Sequence, residues 1–366
     1  MRTARRKCGL VEGVSTGTSA GLAEVAGQAG VSVATVSRVL NGRPGVSATT
    51  RQVVLDALDG LGYERPRRLH PSRAGLIGLI VPELSNPIFP AYAQSVESTL
   101  TARGYACVLC TQEPGGVTED DYTDLLLERG VAGIIFVYGR HADSRADLQR
   151  YRKLTERRLP IALIGGVHVA DGGTNDKSNG QYDLTAPLIR NDDALSIELG
   201  VQHLAALGHR RIGIALGPDR FVPVIHKRAG YLRAMRALDL GEIAPNWIRH
   251  GLHTLEGGHA ATRELLAAGC TAVVCASDTM AVGAIRAVTE TGLSVPADVS
   301  VVGFDDSTLM AYMDPPLTTI RQPVADMSRA AVSSLVTDLE TGGPTARELL
   351  FRPELVVRAS TGPELG

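Results

Sequence analysis

The residues whose types and spacing suggest chemistry lie in one short segment near the amino terminus. On a helix that begins near residue 33, the side chains left exposed are either small or able to form hydrogen bonds. They are Ser32, Val33, Ala34, Thr35, Ser37, Arg38 and Asn41. Small side chains let a helix approach the bases of the DNA major groove, and an arginine there can donate to a guanine edge or to a phosphate. The segment therefore predicts DNA binding, with a plain helical bundle as the alternative.

Three helices are predicted to position this face. The first has the apolar spacing of one buried helix face, with Leu22, Val25, Ala26 and Ala29. Gly30 then ends that helix, and Ser32 is the predicted N-cap of the second. Ser47 is the predicted N-cap of the third helix, whose predicted inward side chains are Val53, Val54, Ala57, Leu58 and Leu61. Two short helices joined by a tight glycine turn are the helix-turn-helix pattern.

The segment GVSVATVSRVLNG at 30–42, followed by VS at 46–47 and TR at 50–51, resembles the DNA-binding headpiece of the LacI/GalR family of transcriptional regulators. The resemblance implies that residues 21–63 form such a headpiece. The residues expected to read bases are Val33, Ala34 and Arg38. Those expected to contact bases or phosphates are Ser32, Thr35, Ser37, Asn41 and Ser47.

Charge is divided unequally along the chain. Residues 1–75 contain eleven basic and five acidic residues, which leaves 26 basic and 34 acidic residues in 76–366. A basic amino-terminal part followed by an acidic remainder predicts that contact with nucleic acid is confined to the amino-terminal part. Residues 1–20 are rich in Gly, Ser and Thr and are predicted to be a disordered tail.

A basic linker, ERPRRLHPSRAG, is predicted at 64–75. In the LacI/GalR family this segment usually forms a hinge helix on operator DNA and inserts a leucine into the minor groove. Arg65, Arg67 and Arg68 suit contact with phosphates or the minor groove, and Leu69 is the candidate wedge. The segment is about three residues shorter than the family pattern and Pro71 would interrupt a helix, so formation of the hinge helix stays open.

From residue 76 onward, short apolar runs rich in β-branched residues alternate with amphipathic helical patterns. The predicted strands are 76–81, 106–110, 131–137, 160–165, 210–216, 271–277 and 300–306. Apolar strands between amphipathic helices predict parallel sheets that are covered on both faces. Seven strands of this kind exceed one ordinary sheet, so two doubly wound subdomains are predicted. The predicted fold is a small all-α helix-turn-helix domain followed by a two-lobed α/β domain with doubly wound parallel sheets.

The α/β part is similar to the effector domain of the LacI/GalR family, which resembles a periplasmic sugar-binding protein with a cleft between two lobes. The resemblance covers roughly 21–360 and implies three crossings between the lobes, expected near 186, 321 and 350. The effector domain would span 76–366, with lobe 1 at 76–185 and 321–349 and lobe 2 at 186–320 and 350–366. A polar run at 171–183 is predicted to be a surface loop.

Candidate ligand residues follow from the position of the cleft. In open α/β sheets, ligands bind beyond the carboxyl ends of strands, where Asp305 and Ser277 are predicted to lie. A carboxylate can accept two hydrogen bonds from the hydroxyls of a sugar. The family resemblance adds Lys227, where many relatives have an arginine, and His253, where relatives often have an aromatic ring. Both departures leave the identity of the ligand open.

Lobe 1 offers Ile88 and Phe89 to cover the apolar side of the ligand, with Glu83 and Asn86 as weaker candidates. Each candidate also has a purely structural alternative. Asp305 would then cap a helix, Phe89 would belong to the core, Lys227 would be a surface charge, and His253 would be a hydrogen-bonded loop residue.

No pattern for a catalytic centre, a metal site or a cofactor is found in the sequence. The histidines are not clustered as metal ligands, and the side chains of the adjacent Asp305 and Asp306 should diverge. Cys107 and Cys110 lie within an apolar run and are expected on opposite faces of a strand, rather than as a redox or zinc pair. No apolar stretch has the length of a membrane helix, and residues 1–20 lack the apolar centre of a signal peptide. We therefore expect a cytoplasmic protein that is not an enzyme.

Together these observations predict a ligand-responsive transcriptional repressor. It is expected to bind a pseudo-palindromic operator in double-stranded DNA as a homodimer, because paired headpieces read half-sites on opposite sides of a centre. Its effector is expected to be a small molecule, most simply a carbohydrate, that changes the relative position of the lobes. The alternatives are a transport-type binding protein and an enzyme with the same lobes. Operator binding separates the first prediction from both.

Overall fold

The structure, a computed structural model, describes residues 22–40, 45–61, 75–112, 115–167, 184–343 and 347–364. The chain divides into two compact units, Met1–His70 and Pro71–Gly366. Several predicted features lie outside the described residues. They are the 1–20 tail, the 171–183 loop, Asn41, and the linker up to residue 74 with Arg65, Arg67, Arg68 and Leu69.

Three short helices make up the described part of the first unit: α1 (Leu22–Gln28), α2 (Val33–Leu40) and α3 (Ala48–Gly60). Their apolar faces meet in one small core. Its buried members are Val25, Ala26, Ala29, Val36, Val39, Val54, Ala57 and Leu58. The apolar spacing predicted for α1 is thereby confirmed.

The turn between α1 and α2 is a glycine-terminated helix end. Gly30 has a φ of +64°, a left-handed conformation that a glycine adopts at little cost. The N–H of Gly30 donates to the carbonyl of Gly27 at 3.3 Å, and the N–H of Val31 donates to the carbonyl of Ala26 at 3.0 Å. This pair of hydrogen bonds is the Schellman motif, which satisfies the last carbonyls of α1 and directs the chain into α2.

Both predicted N-caps in this unit are confirmed. The hydroxyl of Ser32 accepts from the N–H of Thr35 at 3.2 Å. The hydroxyl of Ser47 accepts from the N–H of Thr50 at 3.1 Å. Each cap satisfies a backbone donor that the first turn of a helix leaves without an intrahelical partner.

One predicted core residue of α3 is wrong. Val53 keeps 44% of its surface exposed, whereas Val54 is fully buried. A helix turns by about 100° per residue, so Val54, Ala57, Leu58 and Leu61 lie on one stripe and Val53 lies at its edge. Burial of Val54 therefore directs Val53 away from the core.

The strands described in the second unit form two six-stranded sheets. The sheet of lobe 1 contains β1 (Leu76–Val81), β2 (Ala106–Thr111), β3 (Gly133–Val137), β4 (Ile161–Ile164), β5 (Pro187–Asn191) and β11 (Arg347–Phe351). The sheet of lobe 2 contains β6 (Ile212–Leu216), β7 (Ile248–His250), β8 (Ala272–Cys275), β9 (Ser300–Asp305), β10 (Thr318–Arg321) and β12 (Glu354–Val356). The strand orders are β11-β5-β4-β3-β1-β2 and β12-β10-β9-β8-β6-β7. Described neighbours pair in parallel, except that β12 runs antiparallel to β10.

Helices cover the sheets of both lobes. Lobe 1 has α4 (Ile88–Ala102), α5 (Glu119–Glu128), α6 (Gln149–Glu156) and α11 (Val324–Thr341), and lobe 2 has α7 (Asp193–Ala206), α8 (Val222–Ala237), α9 (Leu255–Ala267) and α10 (Asp278–Glu290). In β1, Leu79 packs with α4 and α11, while Ile80 packs on the other face with α5 and α6. Burial on both faces explains the continuous apolar runs and confirms the doubly wound α/β fold. Over the described ranges, none of the helices combines the length and apolar character needed to span a membrane.

The chain passes between the lobes after β5, after β10 and after β11. The predicted first crossing near 186 is too early, because Pro187–Asn191 pairs with β4 and β11 inside lobe 1. The described chain enters lobe 2 with α7, which begins at Asp193. Five strands, β5, β7, β10, β11 and β12, were not predicted from the sequence. Each contains at least one charged residue, which interrupts its apolar run, and each lies beside a crossing or at a sheet edge.

The two cysteines of β2 lie on opposite faces of the strand, as predicted. Cys107 packs against the core that holds α4, and Cys110 lies in the core that holds α5 and α6. Burial raises the pKa of both thiols, which keeps them protonated. Thiols that lie on opposite faces of a strand and stay protonated do not suit a redox pair.

Candidate functional site

The exposed face of α2 is the first candidate site. Val36 and Val39 point into the core of the unit and are 0% and 6% exposed. The predicted contact residues lie on the remaining surface, either exposed or half-buried: Ser32, Val33, Ala34, Thr35, Ser37 and Arg38. Ser47 is exposed at the start of α3. The structure thus leaves these side chains accessible at and beside one short helix, as contact with the edges of bases requires.

The second candidate site is a cavity of about 570 Å³ between the two lobes. The structure brings all six predicted ligand residues together in its lining: Ile88, Phe89, Lys227, His253, Ser277 and Asp305. The weaker candidates Glu83 and Asn86 line it as well. Several lining residues, such as Tyr138, Ser277 and Gln322, follow the carboxyl ends of strands in the two sheets, the place where open α/β sheets bind ligands.

Lys227 is a buried cation of this cavity, with only 5% of its surface exposed. Its Nζ donates to the carbonyl of Ala276 at 3.2 Å and lies 3.9 Å from Oδ1 of Asp193. The same nitrogen lies 3.5 Å from the centre of the Phe304 ring, within cation–π distance. Burial lowers the pKa of Lys227, and the carboxylates of Asp193 and Asp305 oppose that shift. These contacts show that Lys227 is not a surface charge.

Asp305 is held by a residue of the second crossing. Its Oδ1 accepts from Nε2 of Gln322 at 2.6 Å, and the side-chain oxygen Oε1 of Gln322 accepts from the hydroxyls of Tyr92 at 3.2 Å and Tyr138 at 3.1 Å. Burial and the nearby Asp278 raise the pKa of Asp305 well above its usual value, and Lys227 opposes the shift. Through Gln322, a carboxylate of lobe 2 is oriented by two tyrosines of lobe 1.

The side chains of Asp305 and Asp306 have different partners, as predicted for adjacent residues. Asp306 accepts from Arg321 at 2.7 Å and from Arg358 at 2.6 Å. Asp305 and Asp306 have φ values of +122° and +60°, in a region that residues other than glycine rarely adopt. Two strained residues at the end of β9 indicate that the surrounding contacts dictate where the Asp305 carboxylate lies.

His253 fills space that a side chain at Gly217 would occupy. A Cβ at Gly217 would lie 1.9 Å from Cε1 of His253, so glycine at this position admits the imidazole. The ring faces Phe221, with 6.4 Å between the ring centres. Burial and the nearby Lys227 lower the pKa of His253 to about 4, so the ring is neutral at neutral pH.

Ser277 has a structural role besides lining the cavity. Its hydroxyl accepts from the N–H of Met280 at 3.2 Å and caps α10. Asp278, the next residue, accepts from the hydroxyl of Thr319 at 2.6 Å and from the N–H of Ser307 at 2.7 Å. The hydroxyl of Ser277 therefore faces the cavity with one acceptor position already occupied.

Several residues of the site were not predicted from the sequence. Tyr138, Arg220, Phe221, Phe304 and Gln322 also line the cavity. Gln322 and Tyr138 follow β10 and β3, so the strand-end rule applied to those elements was the signal that could have found them. Aromatic faces beside a carboxylate, an ammonium and an amide suit a ligand that carries both hydroxyls and apolar ring faces.

A buried histidine supports the loop that carries Tyr138. His141 is 1% exposed, with Nε2 3.1 Å from the carbonyl oxygen of Ile164 and Nδ1 3.4 Å from the hydroxyl of Tyr151. Tyr151 in turn donates to the carboxylate of Glu119. Burial lowers the pKa of His141 to about 4.

This shift predicts a pH dependence of stability. The usual histidine pKa is 6.5, so between pH 6.5 and about 4 the unfolded chain binds a proton at residue 141 that the folded chain excludes. Stability should therefore fall as pH falls through this window. In His141→Gln the loss should be smaller by up to about 3 kcal/mol, because glutamine takes up no proton. Urea unfolding from neutral to mildly acidic pH measures this, and equally steep acid losses in both proteins would contradict it.

Comparison with known proteins assigns both units of the chain. Residues 21–66 match the family described as bacterial regulatory proteins, lacI family, and residues 201–361 match the periplasmic binding protein-like domain. Over 351 residues the chain is 54% identical to the HTH-type transcriptional regulator reg1 of Streptomyces lividans, covering 94% of this chain and 97% of the relative. It is also 54% identical to the HTH-type transcriptional regulator MalR of Streptomyces coelicolor, over 94% of this chain and 97% of MalR.

Solved structures agree with this assignment. The chain is similar to the transcriptional regulator CelR in its cellobiose complex, with 30% identity, a TM-score of 0.67, and coverage of 93% of this chain and 99% of the other. It is also similar to the lac repressor dimer bound to operator and the anti-inducer ONPF, with 30% identity, a TM-score of 0.65, and coverage of 94% and 100%. The headpiece, the two-lobed domain and these relatives together show that the chain belongs to the LacI family of bacterial transcriptional regulators.

Proposed function

We propose that this chain is a transcriptional repressor that binds a pseudo-palindromic operator as a homodimer and is controlled by a carbohydrate. The observation that carries the proposal is the cavity, because all six ligand residues predicted from the sequence line it and they come from both lobes. A ligand held by both lobes favours one relative position of the lobes over others. It therefore shifts the population between two states of the regulator.

The polar and aromatic lining supports a carbohydrate. The Asp305 carboxylate accepts hydrogen bonds from hydroxyls, and the neutral His253 can donate or accept. Phe89, Tyr138 and Phe221 present ring faces or edges to the apolar side of a sugar. The similarity to CelR, solved as a cellobiose complex, agrees with this class of ligand.

The exposed face of α2 supports the DNA side of the proposal. Val33, Ala34 and Arg38 would read bases, while neighbouring hydroxyls contact bases or phosphates. In the linker, Arg65, Arg67, Arg68 and Leu69 would contact phosphates or the minor groove. The likeness to the lac repressor dimer on its operator supports the same arrangement. The protein would act on DNA in the cytoplasm and catalyse no reaction.

Exposed apolar side chains in lobe 2 support a homodimer. Leu309 and Tyr312 are 69% and 84% exposed, and both follow the carboxyl end of β9. The two lie in one short 3₁₀ helix, Thr308–Tyr312, and large apolar side chains that are exposed side by side mark interaction surfaces more often than free surface. A second copy of the chain would cover them, and the two headpieces would then read two half-sites.

Selection from a random duplex library with the purified full-length protein tests the proposal. The expected result is a two-fold symmetric site. Its binding should change when one sugar of a panel (glucose, cellobiose, maltose, galactose and lactose) is added. The matched control is Asp305→Asn, which keeps the shape of the side chain and should bind the operator normally but lose the response to the sugar. An enriched site without symmetry, or equal sugar responses in parent and variant, would contradict the proposal.

A further inference from the structure

A second set of contacts joins the two lobes, apart from the chain crossings. Asp143 of lobe 1 and Phe221 of lobe 2 form an antiparallel bridge. Beside this bridge, both the N–H and the hydroxyl of Ser144 donate to the carbonyl of Arg220, at 2.9 and 2.7 Å. Two donors on one carbonyl fix the Arg220 backbone more firmly than a single contact between side chains would.

Two ion pairs flank the bridge. Nε of Arg220 lies 3.2 Å from Oδ2 of Asp143, and an Arg145 nitrogen lies 3.1 Å from Oδ1 of Asp219. The second pair has both side chains about two-thirds exposed, so solvent screens it and it adds little. The first pair is more sheltered, because the Asp143 side chain is 23% exposed. We call residues 143–145 and 219–221 the clasp.

The lobe 2 half of the clasp is also a wall of the cavity. Arg220 and Phe221 line it, and the Arg220 guanidinium carbon lies 5.0 Å from the centre of the Phe221 ring. Phe221 is the N-cap residue of α8, the helix that carries Lys227. Fixing Phe221 therefore fixes both an aromatic face of the cavity and the start of the helix that supplies its cation.

The lobe 1 half of the clasp, residues 143–145, follows a tightly packed turn. Asp143 ends the short 3₁₀ turn Arg140–Ala142, in which His141 is buried. The carbonyl of His141 accepts from the N–H of Val167 at 3.0 Å, and a Cβ at Gly166 would lie 2.6 Å from the Cα of Ala142. Asp143 and Ser144 therefore project from a tightly packed part of lobe 1.

We propose that Asp143 and Ser144 are positioning residues of the cavity, which hold the Arg220–Phe221 wall in place from the opposite lobe. The wall then takes its binding geometry only when the lobes are closed. This makes the fit of an effector depend on the angle between the lobes and links occupancy of the cavity to that angle. The inference rests on the proposed function only in treating this cavity as the effector site.

Fluorine NMR of the full-length protein, with 4-fluorophenylalanine at its five phenylalanines, tests the proposal without any sugar. Loss of one signal in Phe221→Leu assigns the resonance of Phe221. In Asp143→Arg, two cations face each other across the clasp, so the Phe221 signal should shift and broaden. The signal of Phe136, buried in the core of lobe 1, should stay in place.

Rescue and control variants separate positioning from general damage to the fold. The charge-swapped double variant Asp143→Arg/Arg220→Asp should restore the narrow line of the Phe221 signal, at a new position because the Arg220 guanidinium no longer lies over the ring, and Asp143→Glu should barely move the signal. Glu156→Arg makes the same charge change at an exposed residue of lobe 1 and should leave the signal unchanged.

An unmoved Phe221 signal in Asp143→Arg, or an equal shift in Glu156→Arg, would overturn the proposal. A Phe221 signal that stays broad in the charge-swapped variant would overturn it too, because that result indicates loss of structure rather than loss of the pair. Since no sugar is added, failure of the carbohydrate proposal leaves this result interpretable.

Discussion

Replacing Lys227 with methionine is expected to lower the free energy of unfolding by about 3 kcal/mol at neutral pH. Methionine keeps the length and the apolar packing of the side chain against Phe304 but removes its charge. Asp193, whose Oδ1 lies 3.9 Å from the ammonium, and Asp305 would then stay buried without that cation. The carbonyl of Ala276 would lose its 3.2 Å donor as well. Removing one member of a buried charge pair lowers the free energy of unfolding much more than removing one member of an exposed pair.

The expected loss depends on pH, and its direction follows from the carboxyl groups. Burial raises the pKa of Asp193 and Asp305, and Lys227 opposes the rise in both. Without Lys227 their folded-state pKa values rise further above the unfolded values. The folded variant then binds protons that the unfolded chain does not, so the variant gains stability relative to the parent as pH falls. Chemical denaturation followed by circular dichroism, at neutral and at mildly acidic pH, measures the difference.

Two matched variants test this explanation. Lys227→Arg keeps the cation and should lose much less stability than Lys227→Met. Asp193→Asn in the Lys227→Met background removes one orphaned charge and should recover part of the loss, as coupled neighbours do in a double-mutant cycle. Equal losses in the arginine and methionine variants would show that packing, not charge, sets the effect.

The positions of the predicted ligand residues could be read from the sequence because of the geometry of strands. Asp305 and Ser277 directly follow buried strands, and the carboxyl ends of parallel strands in a lobe meet at one edge of its sheet. Lys227 and His253 came instead from the family pattern, which places them on α8 and after β7. Sequence pattern alone is therefore enough to place a side chain that directly follows a buried strand.

The partners of these residues could not be predicted in the same way. Asp193 reaches Lys227 only because α7 and α8 lie side by side, and Gln322 reaches Tyr92 across 230 positions of the chain. The strand that ends at Asn191 was missed because Arg190 and Asn191 interrupt its apolar run and because it pairs with β11, which lies far along the chain and is mostly exposed. Pairings of this kind depend on tertiary packing rather than on local pattern.

In the headpiece, signals from neighbouring residues were sufficient to predict the helix ends and the buried side chains, with one exception. The glycine turn at Gly30 and the caps at Ser32 and Ser47 depend on hydrogen bonds that span only a few residues. The predicted burial of Val53 was wrong because an apolar residue at the edge of a helical stripe is buried only if a neighbouring element covers it. Sequence alone shows that a side chain is apolar, but its exposure depends on the packing of all three helices.

Arg38→Ala is expected to weaken binding to the selected operator by about 10- to 100-fold, because a bidentate contact to guanine contributes about 1–3 kcal/mol of discrimination. Arg38 is exposed on α2 beside the buried Val39, so its removal should leave the core of the first unit intact. The measurement is fluorescence anisotropy with operator and with random duplex DNA at a fixed salt concentration. The thermal unfolding of the variant should match that of the parent.

Arg38→Lys distinguishes reading of a base from contact with a phosphate. Lysine keeps the charge but lacks the planar fork that donates two parallel hydrogen bonds to a guanine. If Arg38 reads a base, both variants should lose affinity for the operator and keep most of their affinity for random DNA. If Arg38 instead contacts a phosphate, lysine should bind both DNAs nearly as well as arginine, and alanine should weaken both and reduce the salt dependence. The second pattern would contradict the base-reading role, because operator preference must then arise from other residues of the α2 face.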